Sequence, residues 1–474
     1  MNESVIALRN VGAMLMVSLT MLGIGPGVVQ AGEPDVQKLL EKVERLEKEV
    51  AELKTKTGDD YLQQRRAQEF EAIVRDVLED ADARTSMAGE GMIAGHNGKN
   101  FFLSNPDETF LMKIGGQMQF RYIVSDQDDR SDETEAGFQF RRMKLAVKGH
   151  VTANPKVEYG LVLAGDRDSG SVSIEDATLK FPLPGAESWK GKIKIGKFKI
   201  PFLREELNSS SKQLAVDRSS ATEYMTADRA DQVQIELSPS ETVKILLSVN
   251  DGADSELTEF NADNVEIAFA GRVDVALQGS LKQIKDFTAK PGEETGVFVG
   301  GGFLWSIGDA DNGDMVVDSD IGSSDGDSDY FAFTIDGSVE TNGVNIFAAF
   351  TKGSIDPDSG VGPAFQDRDP STLLVQGGFH LTDEFEPFVR WECIDADVSG
   401  EDEAYLLTVG FNWYVDGHNA KLTMDVVYFY DGDVPTSNPF GNSSFSSGLG
   451  LGGGTIDADM KTLKVLRIQW QQLY

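Results

Sequence analysis

Basic side chains recur at alternate positions in several stretches of this 474-residue chain, and that spacing is its first chemical signal. Lys113 and Arg121 are one such set; Arg142, Lys144 and Lys148 are a second; Lys192 and Lys194 are a third. In an extended chain, neighbouring residues point to opposite faces. Each set of cations therefore shares a polar face and opposes an apolar one. A strand of this kind suits a wall between lipid and water. A cation on the lipid face would cost roughly 2–4 kcal/mol at mid-bilayer, so these residues are expected in a wet lumen. There they would offer weak, repeated contacts to small polar or anionic solutes. The plainer alternative is that they keep a lumen hydrated and balance acidic neighbours. Lys197 and Lys199 follow Gly196, where a bulge would reset the phase.

Other chemistries find less support. His96, His150, His380 and His418 lack metal-ligand spacing, so no metal site is assigned. No catalytic or cofactor-binding residue is assigned either, and an enzyme is not expected. A barrel lipase, with Ser and His brought together from different strands, is the minor alternative. The acidic runs at 309–314 and 325–329 alternate oxygen donors but do not complete an EF-hand; they are expected to be solvated loops, with weak divalent bridging as the minor alternative. Cys393 is the one cysteine, which rules out an intramolecular disulfide framework. A formal charge of −35 argues against nucleic acid as a partner.

The elements that must position these cations are strands. From about residue 108 the period is two, in sixteen segments bounded by Gly, Asp, Asn and Pro: 110–124, 137–151, 156–165, 171–182, 189–200, 231–238, 242–250, 264–276, 296–307, 329–338, 342–352, 372–381, 386–395, 404–415, 419–430 and 461–474. Connections after even-numbered segments are mostly tight, as at 152–155, 238–240, 340–343, 381–384 and 415–418. Those after odd-numbered segments are mostly long and acidic, as at 125–136, 308–328, 353–371 and 431–460. An even count, with short turns at one end and long loops at the other, predicts an all-β, 16-stranded antiparallel transmembrane β-barrel. The connection near 277–295 is longer than its class predicts. Within 110–124, Ile114, Met118, Phe120 and Tyr122 oppose Lys113, Gln117, Gln119 and Arg121; within 404–415, Tyr405, Leu407, Val409, Phe411 and Trp413 oppose Thr408, Gly410 and Asn412. At the C-terminus Leu466, Ile468, Trp470 and Tyr474 share a face and end on an aromatic, which resembles the signal read by outer-membrane assembly machinery; Gln472 departs from it.

The first hundred residues read differently. Residues 1–31 have the form of a secretory signal: Arg9, an apolar stretch from Val11 to Ile24, and Val29-Gln30-Ala31 before the expected cleavage. A membrane helix is the alternative. Val36, Leu39, Val43, Leu46, Val50 and Leu53 then mark a coiled-coil seam. In a parallel pairing Lys42 meets Glu47 and Glu49 meets Lys54; the alternative is a single amphipathic helix lying on its own barrel. A second helical stretch, about 59–82, gathers Leu62, Phe70, Ile73, Val74, Val77 and Leu78 on one side. The expected organisation is a signal peptide at 1–31, a periplasmic coiled coil and helix at 32–83, a linker at 84–107 and the barrel at 108–474.

Residues 193–206, Ile-Lys-Ile-Gly-Lys-Phe-Lys-Ile-Pro-Phe-Leu-Arg-Glu-Glu, resemble the Gly-x-Phe-Lys-x-Pro-Phe hallmark of the phosphate-selective porin O and P family. The likeness continues through Ser209-Ser210-Ser211, Asp217-Arg218-Ser219 and Asp228-Arg229, and includes Phe140-Arg141-Arg142-Met143-Lys144. It implies a homotrimer of sixteen-stranded barrels in the bacterial outer membrane, with the loop after the fifth strand folded inward as a constriction. The segment 201–230 is then the expected constriction. It sets Arg204, Lys212, Arg218 and Arg229 among Glu205, Glu206, Asp217, Glu223 and Asp228. Such a mixture creates a transverse field suited to small polar solutes, whereas a dedicated phosphate site would hold fewer competing carboxylates. The expected function is passive diffusion of small hydrophilic solutes with a preference for anions such as phosphate. The alternative is an outer-membrane anchor that tethers the envelope through its coiled coil.

Overall fold

The computed structural model describes Arg45 and residues 91–97, 100–127, 134–152, 156–165, 170–184, 189–252, 265–308, 328–357, 367–435, 445–449 and 462–474. The chain divides into two units, Met1–Glu90 and Gly91–Tyr474. The signal segment, the coiled-coil seam and the second helical stretch lie outside the described residues.

The second unit begins with β1 (Ile93–His96) and β2 (Phe101–Ser104), a hairpin inside the stretch expected as linker. Its purpose is visible in the register of the next strand, β3 (Phe110–Gln127). Leu111 to Ile114 extend beyond the point where the last strand stops pairing, and an uncovered edge invites adventitious pairing. Residues of β2 cover that edge, Ser104 opposite Leu111 and Phe101 opposite Ile114. Strands this short leave almost no periodic signal.

The barrel itself runs from β3 through β4 (Glu135–Val151), β5 (Val157–Gly165), β6 (Val172–Pro182), β7 (Lys190–Lys199), β8 (Arg229–Ser238), β9 (Val243–Asn250), β10 (Val265–Gln278), β11 (Gly296–Gly308), β12 (Ser328–Thr341), β13 (Val344–Pro357), β14 (Ser371–Phe379), β15 (Phe385–Asp395), β16 (Ala404–Asp416), β17 (Ala420–Asp431) and β18 (Leu463–Leu473). Each corresponds to one expected segment. Every neighbouring pair is antiparallel, and β18 closes on β3 from Leu463 opposite Gln127 to Leu473 opposite Gln117. Closure removes the sheet edges that an open sheet would expose. The tightest described turn, Asn342-Gly343, has φ of 37° and 91°, the left-handed pair that a two-residue hairpin needs.

Burial is inverted relative to a water-soluble protein. On β3, Met118 and Phe120 are each 40% exposed, while Gln119 and Arg121 between them are buried. On β16, Val409 and Trp413 are about half exposed, while Thr408 and Asn412 are buried. Apolar side chains cover the outside and polar ones line the inside, as the alternation predicts.

The interior is not uniformly wet. Residues 200–228, between β7 and β8, carry α1 (Arg204–Leu207), a 3₁₀ turn at Ser210–Lys212 and α2 (Ser220–Met225). Ser219 caps α2, its hydroxyl accepting from Thr222 N at 3.0 Å. Ile200, Phe202, Leu214 and Met225 of this loop are buried in one apolar cluster with Leu304, Phe347, Leu374, Leu406 and Phe429 of the wall. A fully buried side chain of this size contributes roughly 1.5–3 kcal/mol, so the cluster holds the loop inside the barrel. A further short helix, α3 (Phe445–Leu449), joins the same cluster through Phe445 and Leu449.

The connection at 279–295 also turns inward, which accounts for its unexpected length. It forms a 3₁₀ turn at Gln283–Lys285, and Phe287 is buried against Phe347, with ring centroids 4.8 Å apart. Asn208 Nδ2 donates to Ile284 O at 3.2 Å, so the two inward segments meet.

Candidate functional site: the constricted lumen

A cavity of about 1070 Å3 occupies the lumen beside the inward loop. Its wall comes mainly from β3 to β10 and from residues 204–218, with basic side chains outnumbering carboxylates. A second cavity, of about 240 Å3, adjoins it and shares Lys144, Glu175, Arg218 and Arg229.

Two bulges decide what these cavities meet. Gln119 pairs with Arg142 but Phe120 pairs with Phe140, so Arg141 is the extra residue on β4. Val162 pairs with Asp176 but Leu163 pairs with Ile174, which makes Glu175 the extra residue on β6. A bulge adds one residue and re-aims the side chains around it. Consequently Arg141 and Arg142 line one cavity together, and Glu175 and Asp176 line the other. On β7, Gly196 has φ of +112°, and a Cβ there would lie 2.1 Å from Ala177 O. Pairing runs through Gly196 without a register shift on either side, so the bulge expected there is not formed; Phe198 keeps the phase of Lys194 at the main cavity, and Lys199 at the strand end also reaches it.

The eleven expected residues separate into three groups. Lys113 and Lys148 face each other across β3 and β4, and both line the main cavity. Among the described residues neither forms an ion pair. Lys194 also lines it, with Nζ 3.5 Å from the centroid of the Phe198 ring. In the second group the cations line a cavity but carry carboxylates. Lys144 pairs with Glu175, and Arg218 pairs with Glu223 at 3.2 Å. Arg229 reaches Glu175 at 2.8 Å, Asp176 at 2.8 Å and Asp228 at 2.7 Å. Arg142 belongs here too, at 2.8 Å from Asp217.

The third group is structural. Arg121 is 1% exposed and bound to Asp217. Arg204 touches the edge of the main cavity but is 4% exposed, donating to Ser338 Oγ at 2.7 Å and lying over the Phe347 ring at 5.1 Å. Lys212 pairs with Asp286 at 3.1 Å and fastens one inward segment to the other. Lys192 pairs with Glu158 at 2.6 Å.

Sequence reasoning passed over Arg141, Arg272, Arg390 and Arg467. The last three are 2% exposed or less. Arg467 makes two contacts of 2.7 Å to Asp425, and Arg272 one of 2.7 Å to Asp336. Arg390 donates to Asp217 O at 3.0 Å. They sit at inward positions of strands that alternate cleanly, so the signal was present. Arg141 is different, because its apparent phase points it at lipid and only the adjacent arginine betrays the bulge.

Asp217 is the hub of the loop's charges. Arg141 Nε donates to its Oδ2 at 3.0 Å and Arg142 Nη1 to its Oδ1 at 2.8 Å, with Arg121 Nη1 as a third donor. Burial pushes this carboxyl up, but Arg141, Arg142 and Arg121 together hold it well below the usual carboxylate range. Glu206, on α1, goes the other way: burial and then Asp228 push it up, with Arg218 and Lys199 only partly offsetting them. The loop thus places a permanently charged carboxylate and a protonatable one on the same short path.

Comparisons with known proteins bear on this region directly. Residues 112–288, from β3 to the inward turn, match the family model described as phosphate-selective porin O and P. An uncharacterized protein of Aquifex aeolicus (strain VF5) is 25% identical over 367 residues, covering 68% of this chain and 83% of that protein. Among solved structures, Vibrio cholerae OmpT in its trimer form superposes with a TM-score of 0.50 at 13% identity, covering 77% of this chain and 99% of that one. Pseudomonas putida OprB superposes with a TM-score of 0.50 at 9% identity, covering 77% and 94%. Both share the barrel fold. The family match falls on the strands, bulges and loop that build the constriction, so over residues 112–288 the chain is similar to phosphate-selective porin O and P, on a barrel fold shared with outer-membrane porins.

Proposed function

We propose that this barrel is a passive diffusion pathway for small hydrophilic solutes, with a moderate preference for anions. The observation that carries it is the cavity of about 1070 Å3 with cations in excess on its wall, Lys113, Lys148 and Lys194 among them forming no ion pair among the described residues. Lysines facing each other across two strands repel, and an anion between them relieves that repulsion. The mixed charges at Glu175, Asp176, Arg218 and Arg229 favour general polar solutes over a dedicated phosphate carrier.

The tight turns and the N-terminal extension belong on the periplasmic side in this reading, and the C-terminal strand is the one presented to the assembly machinery. A homotrimer is the proposed assembly, supported by the trimer form of the V. cholerae relative. The heptad spacing from Val36 to Leu53 supports a second, compatible role as an envelope tether.

Purified protein in planar bilayers tests the main reading: discrete conductance steps are expected, and a reversal potential under a KCl gradient that reports anion preference. Silence across potentials and salts would overturn the pore, and clear cation preference would overturn the basic-lumen argument. Conductance retained after deletion of 34–82, with envelope integrity lost in cells, would separate the tether from the channel.

A further inference from the structure

We infer that Asp217 is a built-in anion: the constriction holds a three-arginine site for a small oxyanion, and the loop's own carboxylate occupies it. This rests on the anion-pathway reading and names the residue that sets how strongly that pathway discriminates among anions.

The stoichiometry of charge singles out the site. Elsewhere on the lumenal wall, Arg229 and Arg272 each meet more than one carboxylate. Arg229 has three within 2.8 Å, and Arg272 has both Asp274 and Asp336 at 2.7 Å. At Asp217 the ratio is reversed, with Arg121, Arg141 and Arg142 converging on one carboxylate. Arg390 adds a fourth guanidinium on the same residue's backbone oxygen, at 3.0 Å. Guanidinium forks fit carboxylate and phosphate oxygens alike. Burying such a group without an anion costs several kcal/mol, so three together require one.

The site is also reachable. Arg121 is enclosed, but the Arg141 side chain retains 23% exposure and Arg142 10%. Both face the cavity of about 240 Å3 that adjoins the main lumen. Asp217 carries a single charge and is tied to the chain, so it supplies the anion in place without competing solute having to bind. The arginines outweigh burial and hold this carboxylate well below the usual carboxylate range, which favours its ionised form. Occupied in this way, the site contributes structure and a residual positive field instead of a phosphate trap.

The test compares two substitutions in the full-length chain. Asp217→Ala removes both charge and bulk, and Asp217→Asn removes the charge but keeps the volume. In planar bilayers, inorganic phosphate added to KCl should lower the chloride current of the Asp217→Ala protein saturably. The parent protein should show only a linear response, and adding Arg141→Gln to Asp217→Ala should abolish the saturable component. Asp217→Asn should raise the anion-to-cation permeability ratio several-fold without saturable block. As a readout independent of conductance, phosphate should raise the thermal unfolding temperature of Asp217→Ala and leave that of the parent unchanged. A conducting Asp217→Ala barrel with parental selectivity and phosphate response would overturn the proposal, as would saturable phosphate block of the parent. If Asp217→Ala does not assemble, refolding with and without phosphate decides: rescue supports the site, and no rescue together with parental selectivity in Asp217→Asn overturns it. A parent that does not conduct at all would instead refute the porin reading, leaving the thermal measurement to judge the site.

Discussion

The inner wall of this barrel has two arcs that obey the same alternation and do opposite things. From β3 to β10 the inward residues are mostly lysines, arginines, glutamines and acids, with Val162, Phe198 and Leu246 among them, and they border open cavities. From β11 to β18 the inward set includes Leu304, Phe347, Leu374, Phe388, Leu406 and Phe429, and it is covered by the inward loop. The first arc is a surface for solutes and the second is a landing platform for the constriction. An outer-membrane strand read only as apolar-out and polar-in misses this division, because the platform strands carry apolar residues on both faces at their loop-covered positions. Their charges differ too. Arg467 with Asp425, buried on the platform, is a closed pair, whereas Lys113 and Lys148 on the open arc face each other and form no ion pair among the described residues.

The sharpest way to break the contrast is to open a closed pair. Asp425→Ala would leave Arg467 buried beside a lost partner and also remove the acceptor of Val216 N at 3.0 Å. A loss of roughly 3–5 kcal/mol is expected, seen as a lower thermal unfolding temperature and noisy, enlarged conductance as the loop loses its seat. Leu406→Ala, in the platform's apolar cluster, should cost roughly 2–5 kcal/mol, while the lipid-facing Val409→Ala on the same strand should cost far less. Equal losses at the two positions would erase the distinction between the faces.

Around the open lumen the decisive expected effects are on selectivity. Lys148→Glu should turn a repelling pair into an attractive one with Lys113 and lower the anion preference under a KCl gradient, and Lys144→Glu or Arg218→Glu should act in the same direction. An unchanged reversal potential in all three would mean that this arc does not select. The smallest effect concerns pH. Glu206 is raised to about 7 by burial and by Asp228, so its neutral form prevails in acid and its stabilising contribution is lost as pH rises through that value. Anion preference should therefore fall modestly between pH 6 and 8 as the constriction gains a negative charge. Glu206→Gln should flatten the profile, and a slope that survives this substitution would assign it elsewhere.

Most of the architecture was legible because a barrel strand writes its exposure into every second residue. All sixteen strands and the alternation of short and long connections are legible in the residues themselves, whereas the inward loop follows only from the family resemblance. What escaped reading has a common cause. A bulge shifts the phase by one residue without changing composition, so the Arg141-Arg142 and Glu175-Asp176 doublets are its only trace in the sequence. The roles of Arg121 and Arg204 depend on contacts with residues distant in sequence, at Asp217 and Ser338. The inward turn at 279–295 left only its length as a clue, and the β1–β2 hairpin left none.

The closure of β18 on β3 also has a bearing on how the molecule is made. Gln119 Nε2 donates to Gln471 Oε1 at 2.8 Å across 352 positions of chain. Joining ends that far apart costs on the order of 5 kcal/mol in chain entropy beyond a constant, a modest sum against a full ladder of strand pairing. The obstacle is order of events, since the first barrel strand keeps an open flank until the last one pairs with it. Such a flank is where a nascent barrel is most exposed to wrong partners. The hairpin already paired to the start of β3 shields part of it, so removal of 91–104 is expected to slow assembly and promote aggregation more than it weakens the finished barrel.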